Sequence, residues 1–262
     1  MPQLLGTRNP RLGAVRALLG RKGRHAQQKF SFEGLTLLNE AWASGVPLES
    51  LYVTQIAYDS CPIIPQIEAA GTPTYVVDDR IFARISDLDT PSGILAIAPL
   101  RLLPLAEMFS DGARVLLLAN LSDPGNAGTL VRSAEAFGIV RIIFGNLGVE
   151  PHHPKVVRST MGSIFRAQLA IASLDSVQGA ARDHQFALIG AAKDGKRLDR
   201  AQFPERSVFM LGHERRGLGE WSRICHWHVS IPMGGRVESL NAGVAGSILL
   251  YEASKRQGLD NN

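Results

Sequence analysis

Short apolar runs alternate with stretches of helical apolar spacing along most of this chain. In the first hundred residues, the predicted strands are Leu51–Thr54, Thr74–Val77 and Ile94–Ala98. The predicted helices are Pro10–Leu19, Glu33–Ala43 and Pro62–Ala69. Alternation of strands and helices is typical of α/β layering. This part of the chain therefore predicts a first α/β unit of roughly a hundred residues.

A second α/β unit follows a break in the pattern. Pro99–Ala113 contains two prolines and has no clear periodicity, so it is interpreted as a linker. The run Val115–Ala119 is apolar throughout, as expected of a strand buried on both faces. The later strands and the last helix are predicted at Arg141–Phe144, Ala187–Ala191, Val208–Leu211, His228–Ile231 and Leu240–Arg256. The predicted domains are residues 1–98 and 113–262, with residues 99–112 between them.

Composition supports two folded domains with a basic N-terminal arm. The 262 residues are 45% apolar and 20% charged, with a net charge of +4, so sizeable cores can form. Seven cations and no acid precede Glu33: Arg8, Arg11, Arg16, Arg21, Lys22, Arg24 and Lys29. Such an arm either contacts phosphates or is a solvated, partly frayed terminus, and charge alone does not decide between the two.

The remaining global features restrict the setting. Cys61 and Cys225 are far apart and form no CxxC, so neither a disulfide framework nor a zinc site is expected. The chain has no internal repeat, no apolar core of signal-peptide length and no run long enough to span a bilayer. We therefore expect a reduced, cytoplasmic protein without a membrane anchor or a metal.

Three glycine-containing segments each follow a predicted strand. Because ligands bind at the carboxyl ends of strands in open parallel sheets, the three segments are candidates for one site. The first is Asn120–Gly138. Its Asn126 can cap a helix or bind a ligand, Arg132 offers a planar fork for phosphate or ribose oxygens, and Gly138 suits a helix C-terminus. Taken alone, this segment is better explained as an ordinary capped helix with an exposed arginine.

The second segment, Phe209–Gly219, is a strand that leads into a glycine-rich turn carrying Glu214. It contains neither G-x-G-x-x-G nor a P-loop G-K-[ST], and His213-Glu214 does not continue to H-E-x-x-H. Dinucleotide, nucleoside triphosphate and zinc sites of these types are therefore not indicated. A turn with a solvated glutamate would also fit.

The third segment, Ile231–Tyr251, leads into the apolar last helix. Ser239 is expected to cap that helix, and Gly243 and Gly246 give it a small-residue face for close approach. Core packing explains most of its apolar positions, although a subunit interface could use the same face.

Together, the three segments resemble motifs 1, 2 and 3 of the SpoU/TrmH family, part of the SPOUT class of RNA methyltransferases. The matching patterns are N-x-G-x-x-x-R-x-A-x-x-F-G at Asn126–Gly138, L-G-x-E-x-x-G-L at Leu211–Leu218, and I-P-M-x-G-x-V-x-S-L-N at Ile231–Asn241. After Asn241 this chain has Ala-Gly-Val-Ala where the family often has V-S-V-A. These changes of small residues for small residues are not expected to abolish activity.

The resemblance extends into the N-terminal unit. Phe32–Gly34, Gly45–Val53 and Asp89–Ile94 are similar to the family's N-terminal substrate-binding domain. The resemblance implies a small ribosomal-protein-like α/β domain that binds RNA. It also implies a C-terminal SPOUT parallel sheet with a deep trefoil knot, and a homodimer.

The resemblance further implies S-adenosylmethionine as the cofactor, held by the loops of the knot. The implied cofactor-binding residues are Gly190, Ala191, Leu211, Gly212, Ile231, Met233 and Leu240. Glycine at 212 is expected where adenosine approaches the chain closely. The implied catalytic residues are Asn126, Arg132, Glu214, Ser239 and Asn241.

Arg132 would hold a phosphate or the nucleophilic oxygen, and the resemblance suggests that it acts across the dimer. Because arginine stays protonated in nearly all settings, a substrate phosphate or a water could be the proton acceptor instead.

The expected function is transfer of a methyl group to a ribose 2′-hydroxyl in RNA. Ribosomal RNA is favoured, because the N-terminal domain resembles that of the family's ribosomal branch. The alternatives are a transfer RNA 2′-O-methyltransferase and a catalytically inactive, RNA-binding relative. A nucleotide-dependent α/β enzyme of another family is a further alternative, which the missing phosphate-binding patterns disfavour.

Overall fold

The computed structural model describes residues 3–110, 114–236 and 239–255. These form two compact α/β units. The first unit takes the chain up to Arg101 together with the later segment His152–Phe165. The second takes Leu102–Pro151 and the chain from Arg166 onward.

The first unit is a five-stranded sheet with flanking helices. Its strands are β1 (Gln3–Leu5), β2 (Lys29–Glu33), β3 (Ser50–Val53), β4 (Thr74–Val77) and β5 (Ile94–Pro99). They lie in the order β1-β4-β3-β5-β2, with β1, β4 and β3 parallel and the pairs β3–β5 and β5–β2 antiparallel. Its helices before Arg101 are α1 (Pro10–Ala17), α2 (Arg21–Gln27), α3 (Leu35–Ala43), α4 (Gln55–Ser60), α5 (Ile64–Ala69) and α6 (Asp79–Ile85).

The basic N-terminal stretch is folded into this unit. Strand β1 pairs with β4, and Leu5, Val15 and Leu18 are buried in the same core as Phe82. Residues 3–29 are therefore an integral part of the domain, and a frayed terminus is excluded for them.

One predicted RNA contact is corrected by this fold. The Arg24 side chain is only 2% exposed, and its guanidinium donates hydrogen bonds to the carbonyl oxygens of Leu18 and Leu19, at 3.0 and 2.9 Å. It satisfies carbonyl groups that the end of α1 leaves free, so it is not available to RNA. Of the other cations, Lys29 pairs with the Glu49 carboxylate, and Arg8, Arg11, Arg16, Arg21 and Lys22 are exposed.

The second unit is built on six parallel strands. They are β6 (Val115–Leu118), β7 (Arg141–Gly145), β8 (Gln168–Ala172), β9 (Ala187–Arg197), β10 (Ser207–Leu211) and β11 (Trp227–Ser230), in the order β11-β9-β10-β6-β7-β8. The later helices are α7 (Pro124–Ala136), α8 (Pro154–Ser159), α9 (Leu174–Asp183) and α10 (Ala242–Lys255). Every side chain of β6 is buried, which confirms the prediction of a strand covered on both faces.

Helix α8 belongs to the first unit although it lies between β7 and β8 in the chain. The His152 ring packs on Phe30 and the Phe165 ring on Phe32, with centroid distances of 4.6 and 4.9 Å. These aromatic contacts place the segment on β2, a placement that the predicted domain boundaries did not include.

The last helix packs tightly against the middle of the second sheet. A Cβ atom on Gly246 would lie 2.2 Å from the end of the Leu130 side chain of α7 and 2.4 Å from the end of the Leu211 side chain of β10, so any larger residue would have to displace these leucines. The Ser133 and Ser247 hydroxyls are joined by a 2.7 Å hydrogen bond between α7 and α10. Within this chain, the small-residue face of α10 is therefore used for packing inside the unit. Among the described residues, no helix is long and apolar enough to cross a membrane.

Candidate active site

The parallel sheet brings the predicted site segments to one edge. Strand β10 pairs with β6 so that Leu211 lies opposite Leu118, and the Ala119 amide donates to the Leu211 carbonyl at 2.7 Å. The chain that follows β6 therefore runs beside the chain that follows β10. Strand β9 lies next to β10, and β11 lies next to β9, all in the same direction, so their carboxyl ends share this edge.

Glu214 ties the first two segments together. Its Oε1 accepts hydrogen bonds from the Asp123 amide at 3.0 Å and from Asn126 Nδ2 at 3.2 Å. Its Oε2 accepts from the Ser122 hydroxyl at 2.8 Å. Partial burial by itself raises the pKa of this carboxyl, but the hydrogen bonds outweigh it and lower the pKa to about 2. Glu214 is therefore an ionised anchor.

Asn126 extends this network to the third segment. Its Oδ1 accepts a 2.9 Å hydrogen bond from Asn241 Nδ2, and the Asn241 Oδ1 accepts from the Val244 amide at 3.2 Å. The structure thus brings Asn126, Glu214 and Asn241, three of the five predicted catalytic residues, into one hydrogen-bonded chain. Each of the three comes from a different sequence segment.

The expected cap of the last helix is corrected, and the capping alternative for Asn126 is excluded. Helix α10 is capped by Asn241 rather than by Ser239, which is exposed and makes no hydrogen bond to any other described residue. Helix α7 is capped by Asp123, whose Oδ1 accepts from the Asn126 amide at 2.7 Å. The helix begins at Pro124, whose missing N–H suits the first helical position. The predicted role of Gly138 at the end of α7 is confirmed by its φ of +77°.

Arg132 is not part of this hydrogen-bond network. It is exposed on α7, and no hydrogen bond or ion pair joins it to Asn126, Glu214, Asn241 or any other described residue. Its guanidinium is therefore free to contact a ligand or a second chain.

Ser122 and Asp123 are site residues that the sequence prediction missed. Together they supply two of the donors that hold Glu214 ionised. Their position directly after a buried strand, within the segment Asn120–Gly138, is the signal that could have identified them.

The predicted cofactor residues lie in strands β9 and β10 and in the chain that follows β10 and β11. Gly190 and Ala191 are in β9, Leu211 ends β10 and Gly212 follows it, and Ile231 follows β11. The side chains of Ile231 and Leu240 are half-buried, and Met233 is 41% exposed. No hydrogen bond joins the backbone of Met233, Gly234, Gly235 or Leu240 to another residue within the described ranges.

These segments fit an adenosine group. Half-buried apolar side chains suit the faces of the base, and backbone groups without partners can pair with its polar edge. These segments thus offer apolar side chains and backbone amide groups, which suit the predicted cofactor S-adenosylmethionine.

Two of the predicted cofactor glycines have packing roles. A Cβ atom on Gly190 would lie 2.5 Å from the Leu218 side chain and 2.8 Å from Cys225 Sγ. A Cβ atom on Gly212 would lie 2.2 Å from the backbone of Gly217, across a tight turn that is closed by two hydrogen bonds between His213 and Gly217. The turn itself thus demands glycine at 212, whether or not adenosine also approaches there.

Comparison with known proteins identifies the family. Residues 113–251 match the model of the SpoU rRNA Methylase family, and residues 9–96 match the MRM3-like substrate binding domain. The chain belongs to the SpoU rRNA methylase family, which confirms the predicted SpoU/TrmH-type methyltransferase with an N-terminal substrate-binding domain.

Three similar proteins illustrate this relationship. The chain is 26% identical to the 23S rRNA guanosine 2′-O-methyltransferase RlmP of Bacillus subtilis, over 96% of this chain and 98% of RlmP. It is 29% identical to a 23S rRNA uridine 2′-O-methyltransferase of Streptomyces viridochromogenes, over 96% and 91%. An AdoMet-bound rRNA methyltransferase from Sinorhizobium meliloti has a TM-score of 0.87 at 27% identity, over 98% of both chains.

The crowding at Gly212 gives a first prediction. Gly212→Ala should lower the free energy of unfolding by about 1–3 kcal/mol, because the methyl group must displace backbone rather than a flexible side chain. Urea unfolding measures the change. Gly234→Ala is the matched control, because a Cβ atom there meets nothing within 4 Å. Equal stabilities of the two variants would contradict the assignment of Gly212 to the turn.

The lowered pKa of Glu214 gives a second prediction. Because the folded-state pKa is about 2 and the reference value is 4.5, its stabilising effect is complete above 4.5 and is lost as the pH falls through 2. Glu214→Gln should therefore cost about 1–2 kcal/mol at neutral pH, and less at about pH 3. Urea unfolding at both pH values tests this, with the exposed Glu220→Gln as control. A cost that does not change with pH would show that the charge of Glu214 is not what matters.

Proposed function

We propose that this protein transfers a methyl group from S-adenosylmethionine to a ribose 2′-hydroxyl of ribosomal RNA. The observation that carries the proposal is the hydrogen-bonded network of Asn126, Glu214 and Asn241, which joins the three motif segments. Two relatives that align with 96% of this chain are named as 23S rRNA 2′-O-methyltransferases, and the solved neighbour has AdoMet bound. S-adenosylmethionine is the cofactor expected from the motifs.

The network would position the reacting groups. S-adenosylmethionine, when bound, supplies a methyl group on a sulfonium whose charge disappears on transfer, so a water-poor pocket favours the reaction. Half-buried Ile231 and Leu240 would exclude water there. The Asn126 amide is held at both ends, by Glu214 and by Asn241. Alignment of the hydroxyl with the S–CH₃ bond is the contribution expected of such a fixed frame.

We further propose that the protein is a homodimer in which Arg132 completes the site of the partner subunit. Arg132 has no partner among the described residues of its own chain, as a residue that acts across an interface requires. The exposed face of α10 carries Val244 and Tyr251, which are 48% and 46% exposed and seven residues apart. Side chains seven apart share one helix face, so this apolar face, opposite Gly246, is the proposed dimer surface.

A trefoil knot is proposed for the second unit. Strand β11 is at one edge of the sheet, yet the chain that follows it returns to pack α10 on Leu130 and Leu211 near the middle. This return across β9 and β10 is the path that a threaded C-terminal segment would take.

The RNA would be held partly by the first unit. Arg8, Arg11, Arg16, Arg21 and Lys22 are the exposed members of the predicted set, and the family match at 9–96 is to a substrate-binding domain.

A transfer RNA substrate remains the alternative. The hydrogen-bonded network of Asn126, Glu214 and Asn241 disfavours a catalytically inactive, RNA-binding relative. The cytoplasmic setting and the absence of a metal stay predictions.

Mapping of 2′-O-methyl groups in total RNA, with and without the gene, tests the function. We expect one ribosomal RNA nucleotide to lose its methyl group, and complementation with the unaltered gene, but not with Arg132→Ala, to restore it. Loss of a transfer RNA methyl group instead would select the alternative substrate. An unchanged methylation map would contradict the proposal.

Mixed dimers test the trans action of Arg132. Neither Arg132→Ala nor Asn241→Ala should methylate RNA alone. If Arg132 acts across the dimer, an equal, re-equilibrated mixture should recover about a quarter of the wild-type rate, because half of the dimers contain one complete site. Methyl transfer from labelled S-adenosylmethionine measures the rate. An inactive mixture, in which mass spectrometry shows that mixed dimers have formed, would place Arg132 in the site of its own chain.

A further inference from the structure

Trp227 lies between two clefts that the proposed active site does not use. It begins β11, pairs with Ile189 of β9, and is half-buried. On one side is a cleft of about 550 Å³ whose lining includes Lys196, Arg200 and Phe203. On the other is a cleft of about 510 Å³ whose lining includes Arg182. Both volumes lie within the range of about 300–1,000 Å³ that is common for ligand sites.

The lining of the first cleft is basic and aromatic, with Lys196, Arg200, Phe203 and Trp227. Among the residues that the structure describes, no aspartate or glutamate lines either cleft. Asp199, which precedes Arg200, is engaged by Arg197 through hydrogen bonds of 2.8 and 3.1 Å. The Phe203 ring is held edge-on against Phe209 at a centroid distance of 5.2 Å. The first cleft thus offers cations to an anion and, in Trp227, an aromatic surface to a flat ring.

We propose that Trp227, Lys196 and Arg200 bind an unpaired nucleotide of the substrate RNA. The base would stack on Trp227 and the phosphates would contact Lys196 and Arg200, which is how proteins hold single strands without reading their sequence. This inference rests on the proposed function, because that function supplies the RNA.

The position of the cleft suits an RNA chain that also enters the active site. Trp227 begins β11, and Ile231, in the proposed cofactor loop, follows its end. Four residues of strand span about 13 Å. An RNA segment bound at Trp227 would therefore anchor the strand at a distance from the methylated ribose and contribute affinity rather than chemistry.

Binding of a single-stranded oligouridylate of about 12 nucleotides tests the proposal. Trp227→Ala should weaken binding roughly five- to a hundredfold, and Trp227→Phe should restore most of it. Wild-type fluorescence should be quenched by this RNA, and Trp227→Phe should lose most of that quenching. Equal affinity of the alanine variant, with a normal thermal melt, would overturn the proposal.

The cations are tested by the salt dependence of the same binding. The double variant Lys196→Gln/Arg200→Gln should reduce the log–log salt slope by about 1.4, for two phosphate contacts on a single strand. Arg223→Gln, an exposed cation of the same unit outside both linings, should leave the slope unchanged. An equal salt slope for the wild type and the double variant would contradict the proposed contacts of Lys196 and Arg200 with phosphates.

Three further readouts separate the explanations. Calorimetric affinity for S-adenosylmethionine should be unchanged in Trp227→Ala, and its loss would overturn an RNA-specific role. Quenching by uridine monophosphate as strong as that by the oligonucleotide would overturn the proposal in favour of a small-molecule site. If light scattering shows that Trp227→Ala is a monomer whereas the wild type is a dimer, Trp227 lies in an interface between two copies of the chain, which would overturn the proposal. Failure of the proposed function appears separately, as wild-type protein that binds RNA but methylates none.

Discussion

The Glu214 carboxylate is the interaction on which the site depends. It is partly withdrawn from water, and such a charge is tolerated only when hydrogen bonds replace the lost solvation. Ser122 and Asp123 provide those bonds from the loop after β6, and Asn126 provides one from the first turn of α7. A chain of polar contacts then continues through Asn241 to the first turn of α10. The position of the last helix and the charge of Glu214 are thus coupled, so a change at either end is expected to be felt at the other.

Features governed by short-range physics could be predicted from the sequence. The apolar run Val115–Ala119 indicated a buried strand, and β6 is buried throughout. Gly138 indicated a helix end, and its positive φ explains why glycine stands there. The family motifs placed Asn126, Glu214 and Asn241 in one site, and hydrogen bonds join the three.

Features that depend on the three-dimensional arrangement could not be predicted. Ser, Asp and Asn cap helices almost equally well, so the choice of Asp123 over Asn126 and of Asn241 over Ser239 depends on where each first turn begins. Arg24 is one of seven cations in the same stretch of sequence, but its position one turn into α2 brings its guanidinium to the carbonyl oxygens at the end of α1 and buries it. The packing of His152–Phe165 on the first unit depends on Phe30 and Phe32, more than a hundred residues earlier.

The same network restricts the choice of proton acceptor. A general base works best with a pKa near the operating pH, whereas Glu214 has a pKa of about 2 and both of its oxygens are engaged. The side chains of Asn126 and Asn241 do not titrate, and arginine stays protonated in proteins. The ribose proton would therefore pass to a substrate phosphate or to water rather than to this network. For such a site, the rate enhancement has to come from alignment and exclusion of water, and both depend on the rigidity that the ionised carboxylate supplies.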